Sequence, residues 1–106
     1  MLDTRTNGGT LGAGGVYSLP VAGVGSVPAN ATAVVLNVTV TNPTADSYLT
    51  VYPDGQIRPN SSNLNFITGQ TVPNLVIVPV TNGKIDFYNL QGTVDVIADL
   101  FGYYRS

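Results

Sequence analysis

Apolar residues recur at every second position through most of this chain, and no window carries the i, i+3, i+4, i+7 spacing of an amphipathic helix. In residues 33–42 the apolar set is Val34, Leu36, Val38 and Val40, with Asn37 and Thr39 on the other side. In residues 93–103, Val94, Val96, Ala98 and Leu100 oppose Asp95, Ile97, Asp99 and Phe101. These two segments are expected to be central strands. Leu49 and Val51 point inward within residues 47–52, which sends Tyr48, Thr50 and Tyr52 to the opposite face; Ile85, Phe87 and Asn89 oppose Lys84, Asp86 and Tyr88 within residues 84–90. Further strands are expected over residues 15–21, 62–67 and 72–80, with residues 2–6 a weaker eighth.

Turn chemistry punctuates this pattern. Asn82-Gly83 joins residues 72–80 to 84–90 and suits a type I′ hairpin, in which both central residues need positive φ. Pro53-Asp54-Gly55 and Gln91-Gly92 mark further turns. Pro73 and Pro79 bracket one apolar strand and cannot donate to a ladder, which places that strand at an edge or a bulge and protects it from edge-to-edge aggregation. Seven or eight short strands in 106 residues imply an all-β fold, an antiparallel β-sandwich of jelly-roll-like or immunoglobulin-like character. A chain of this length is one domain, residues 1–106, burying roughly two thirds of its unfolded surface.

Composition removes several functions. Only 9% of residues are charged, and the bases Arg5, Arg58, Lys84 and Arg105 are too scattered for the phosphate contacts of a nucleic-acid binder. Without Cys or His, thiol nucleophiles, Cys/His zinc sites and Ser-His-Asp triads are closed. No apolar run of about 18 residues suggests a membrane span, and no basic-then-apolar stretch suggests a signal peptide within this sequence. Few Lys, no Glu and many Thr, Asn, Ser and Gly fit an extracellular β module.

The blocks "LDTR" at residues 2–5, "LGAGG" at 11–15, "AVVLNVTVTNPTA" at 33–45, "LTVYP" at 49–53, "SNLNF" at 62–66, "GQTVPNLVIVPV" at 69–80 and "VDVIADLFGYY" at 94–104 together resemble a repeat of secreted actinobacterial and other bacterial surface proteins. That repeat occurs in tandem or appended to peptidoglycan amidases and other extracellular enzymes. The resemblance spans nearly the whole chain; "DLFGYY" carries a larger apolar residue before its Gly than the repeat usually does. It implies a secreted or cell-surface accessory module, non-catalytic and without a cofactor. In a tandem array Tyr103 and Tyr104 would meet Leu2 of the next unit.

The polar candidates each carry two readings. Asp3 and Arg5 fit a clamp on a ligand carboxylate or sugar, or a pair that fixes the terminal strand, with Asp99 as a third member; the second is favoured because Arg donors readily satisfy carbonyls at a strand end. Asn63, Asn65 and Asn74, with Asn37 and Asn89, suit sugar hydroxyls but are expected mainly to satisfy backbone at irregular crossings. The sequons at Asn30, Asn37 and Asn60 are read as chance. Tyr48, Tyr52 and Tyr88 are the binding candidates, a platform on which a sugar ring stacks, against a bland reading of cross-strand packing. No metal site is expected: Asp46 and Asp54 stand alone in their loops, and Asp95 and Asp99 would be about 13 Å apart along a strand. Asp86 and Asp95 can be drawn as a glycosidase pair, with nothing in the sequence to support a cleft. Two functions stay open: binding of cell-wall or other polysaccharide, including peptidoglycan, in adhesion; or a structural repeat that self-associates or packs on neighbouring repeats through its terminal strands.

Overall fold

In a computed structural model, residues 1–6 and 8–106 are described, and they form eight strands with no helix among them. These are β1 (Leu2–Asp3), β2 (Val16–Pro20), β3 (Ala31–Thr41), β4 (Ser47–Pro53), β5 (Leu64–Phe66), β6 (Val72–Pro79), β7 (Lys84–Asn89) and β8 (Asp95–Arg105). Two four-stranded antiparallel sheets result, ordered β1-β8-β3-β6 and β2-β7-β4-β5. The pairs β1 with β8, β2 with β7, β3 with β6 and β4 with β5 are nested, so the chain is one long hairpin rolled on itself. That nesting is a jelly roll and not the immunoglobulin arrangement.

The alternation read from the sequence sets the packing. Val34, Leu36, Val38 and Val40 of β3 and Val94, Val96 and Ala98 on and beside β8 are buried, facing Leu49, Val51, Ile85 and Phe87 of the other sheet. β3 and β8 are central, as their apolar periodicity predicts, and β6 is an edge. Val80 N donates to Thr32 O (2.9 Å), so even-numbered residues of β6 point their backbone groups at β3. Pro73 and Pro79 therefore stand where an N–H would face solvent, and the missing donors blunt that edge.

Two expectations need correction. Asn82 and Gly83 do adopt positive φ, 56° and 73°, and Thr81 and Lys84 exchange backbone bonds across them. The strands they join nevertheless belong to opposite sheets, so the turn is a corner of the roll and not the tip of a hairpin. Only β4 and β5 are consecutive strands in one sheet. Second, Leu100 is half-buried and Phe101 protrudes, because the β3–β8 register shifts between Val35 and Leu36 and leaves Phe101 as an extra residue without a partner.

The N-terminal segment meets the start of β8 at Asp95, on the outer side of that strand. Its carboxylate is buried and accepts from Thr4 Oγ1 (2.9 Å), Thr10 Oγ1 (2.9 Å) and Asn42 Nδ2 (3.2 Å). Thr4 Oγ1 in turn accepts from Val96 N at 2.8 Å, and Thr4 N donates to Val96 O at 3.0 Å. Next to this knot Gly92 (φ 62°) lies so close to the β3–β4 connection that a Cβ there would meet Thr44 Oγ1 at 2.7 Å. Asp95→Ala leaves three donors without their acceptor, and the unfolding free energy is expected to fall by about 3 kcal/mol. A lower urea midpoint with unchanged slope is the measurement; an unshifted midpoint rules out this role.

Candidate functional site

The outer face of β2-β7-β4-β5 collects the three tyrosines. In the register Thr50 lies beside Tyr88, Tyr52 beside Asp86 and Tyr48 beside Asn65. Strand alternation is what places them together, since all three occupy positions opposite the core residues Leu49, Val51 and Phe87. The rings of Tyr48 and Tyr88 are tilted at 50° with centroids 6.3 Å apart, within the range of favourable aromatic pairs.

They do not form an open platform. Tyr52 and Tyr88 are each only 7% exposed, and Thr50 beside them is fully buried. The β4–β5 connection, residues 54–63, folds back over the face. Thr50 Oγ1 donates to Ser61 O (2.9 Å), and the Arg58 guanidinium sits 3.7 Å above the Tyr88 ring. A cation over an aromatic face stabilises by about 0.5–1 kcal/mol at an exposed site. Tyr48 is half-buried opposite the exposed Asn65, and in the covering connection Arg58 and Ile57 are exposed, the latter at 95%. Among the described residues no pocket is enclosed, so the surface offered is open and without a cleft.

Asn63, Asn74 and Asn89 satisfy backbone groups, as expected, whereas Asn65 is exposed and meets only a side chain. Asn63 Oδ1 accepts from Val51 N (2.7 Å), Asn63 N donates to Leu49 O (2.9 Å), and Asn74 Nδ2 donates to Asn63 O (2.8 Å), tying β6 of one sheet to the β4–β5 connection of the other. Asn65 Oδ1 accepts from Ser62 Oγ at 2.9 Å. Asn89 is fully buried, donates to Gly12 O (3.2 Å) and Gly92 O (2.9 Å), and accepts from Ser47 Oγ (3.0 Å). Asp3 and Arg5 form a forked ion pair, Arg5 Nη2 to Asp3 Oδ2 at 2.8 Å and Arg5 Nε to Asp3 Oδ1 at 3.0 Å. The hydrogen bond from Arg5 holds the Asp3 carboxyl below the usual carboxylate range. Asp99 does not join them: it is exposed and lies opposite Asn37.

Asp86 and Asp95 cannot act on one substrate, because they lie on the outer faces of opposite sheets with the core between them. Asp86 has a different neighbour. Ser18 pairs with it in the register, Asp54 approaches from the turn after β4, and Asp54 accepts from Ser18 Oγ (3.4 Å) and Asn82 Nδ2 (3.3 Å). Asp86 is buried, its Oδ1 without a hydrogen-bond partner among the described residues, and burial pushes its carboxyl up, while the contact with Asp86 holds Asp54 down. Burial, then Asp86, raises Tyr52 as well.

Sequence reasoning missed Arg58, Asp54 and the Asp95 knot. Arg58 was visible as one of four bases, in a connection that follows the tyrosine-rich strand. The donors to Asp95 are 53, 85 and 91 positions away, and no local pattern joins them. Comparison with family models, with curated proteins and with solved structures finds no match to this chain. Among the described residues no helix is long and apolar enough to cross a membrane.

Asp86 also sets a pH test. With its folded pKa raised, the folded state carries the cost of a buried charge above that pKa and is relieved of it as pH falls toward the unfolded value of 3.8. Asp54, held down, contributes the opposite sign and loses its contribution only at lower pH. Asp86→Asn supplies a neutral donor to Asp54 and is expected to raise Tm at pH 7 by about 4 °C. The gain should shrink as pH drops through the carboxylate range; a gain independent of pH contradicts a buried charge at Asp86.

Proposed function

We propose that the chain is a non-catalytic accessory module of the bacterial cell surface that binds polysaccharide of the cell wall, contacting it through the outer face of β2-β7-β4-β5. The observation that carries this reading is the tier of Arg58 over Tyr88 beside Tyr48. Tyr48 and the planar guanidinium supply stacking surface, and Asn65 and Ser62 at its margin supply amide and hydroxyl partners for sugar oxygens. Tyr52 and Tyr88, buried, hold the tier in place. An open face suits a polymer running across it better than an isolated small molecule. Jelly rolls recur in lectin domains, an analogy of fold that supports the class of ligand and assigns no residue.

Co-sedimentation with insoluble peptidoglycan is the test. Tyr48→Ala and Arg58→Ala are each expected to weaken retention about tenfold, the loss of one stacking contact, with the thermal transition little changed. Asn30→Ala, on the β2–β3 connection away from the tier, serves as control. Retention that is absent, or equal in parent and both variants, removes the proposed site.

A further inference from the structure

The eight strands leave four sheet edges, and three are blunted. β5 has only three residues, β2 has five and ends in Pro20, and β6 carries Pro73 and Pro79 with their absent donors facing outward. The fourth edge is different. β8 runs eleven residues, but β1 pairs with it only at Ile97 and Ala98. Residues 99–105 are bonded to β3 on one side, and among the described residues no other backbone group bonds to them on the far side. This edge contains no proline and carries Phe101, Tyr103 and Tyr104, which are 69%, 41% and 56% exposed.

The geometry points to this edge as a homotypic interface, in which the β8 strands of two copies pair antiparallel about a two-fold axis and join β1-β8-β3-β6 of each copy into one continuous sheet. The backbone directions select the register. Thr4 N donates to Val96 O, so even-numbered residues of β8 face β1, and Leu100 continues that series onto the open edge. Beyond the bulge at Phe101, Gly102 and Tyr104 lie opposite Val35 and Ala33, which point at β8, so the residue facing outward is Tyr103. The extra residue thus brings Leu100 and Tyr103 into matching directions, and a two-fold axis between Phe101 and Gly102 sets Leu100 of each copy opposite Tyr103 of the second copy. That is a self-complementary pair of hydrogen-bonded positions.

Charge fits the same symmetry. In this register Asp99 of each copy lies opposite Tyr104 of the second copy, so no two like charges meet across the axis. An added Cβ at Gly102 would meet nothing within 4 Å, so no atom of the same chain obstructs close approach at the axis. The bulge restricts the ladder to a few residues and increases local twist, which keeps the contact small and the association weak and reversible. This interface is independent of the polysaccharide face, which lies on the opposite sheet.

Sedimentation of the intact chain from about 10 µM to 1 mM, spanning weak affinities, should show a monomer–dimer equilibrium. Tyr103→Pro, which removes the donor that faces the open edge, should weaken dimerisation about tenfold. Amide exchange of Leu100 and Tyr103 should slow as concentration rises. A monomer throughout the range overturns the proposal. So does a dimer insensitive to Tyr103→Pro, or one abolished by Ile77→Lys with the Leu100 and Tyr103 amides unprotected, since the contact would then be the outer face of β6. Circular dichroism confirms that each exposed variant is folded.

Discussion

Closure of the roll depends on one buried carboxylate. Asp95 gathers donors from the N-terminal segment and from the end of β3, and Thr4 passes the connection on to the backbone of β8. Without that knot β1 has only two register positions with which to hold the first residues against the sheet. No cationic side chain bonds to the carboxylate; three neutral donors satisfy it. A buried acceptor with all its partners in place specifies one arrangement of the segments that supply them, because any other arrangement leaves polar groups unpaired at a cost of about 1–3 kcal/mol each. The N-terminal segment, the β3–β4 corner and the β7–β8 corner are therefore fixed relative to one another.

The two sheets present unlike surfaces. On β2-β7-β4-β5 the aromatic face is covered by its own connection, and what remains outermost is a guanidinium, amides and one half-buried ring. On β1-β8-β3-β6, Leu75, Ile77, Phe101 and Tyr104 are left more than half exposed. A chain with so few charges has little repulsion to keep copies apart, so the prolines of β6 and the brevity of β2 and β5 matter to solubility. Their protection stops at β8.

Much of this was legible in the sequence wherever the determining force is local or periodic. Val34 to Val40 and Val94 to Ala98 lie on the faces that alternation assigns, Pro73 and Pro79 mark an edge, and Asn82-Gly83 turns as its residue types require. Sheet membership was not legible from that turn, since a two-residue corner has the same chemistry whether its strands remain paired or part to opposite sheets. The shared face of Tyr48, Tyr52 and Tyr88 followed from strand phase, but their burial depends on where residues 54–63 settle. That in turn rests on Arg58 meeting a ring thirty positions along the chain, a long-range contact with no periodic trace. The bulge at Phe101 inverts the simple alternation over the last residues of β8, and only the adjacent Gly102 hints at it in the sequence.

The nested pairing also orders events in time. Only β4 and β5 are neighbours both in the chain and in a sheet, so theirs is the pairing with the least chain to close; each successive pair, outward to β1 with β8, encloses a longer loop. Folds dominated by such distant pairings are slow, forming in milliseconds to seconds. During synthesis the chain emerges from its N-terminus. Until residues 95–105 are released, β3 has β6 on one side and nothing on the other. A central strand of one sheet is thus the last of the eight in chain order, and that sheet is complete only once β8 enters between β1 and β3.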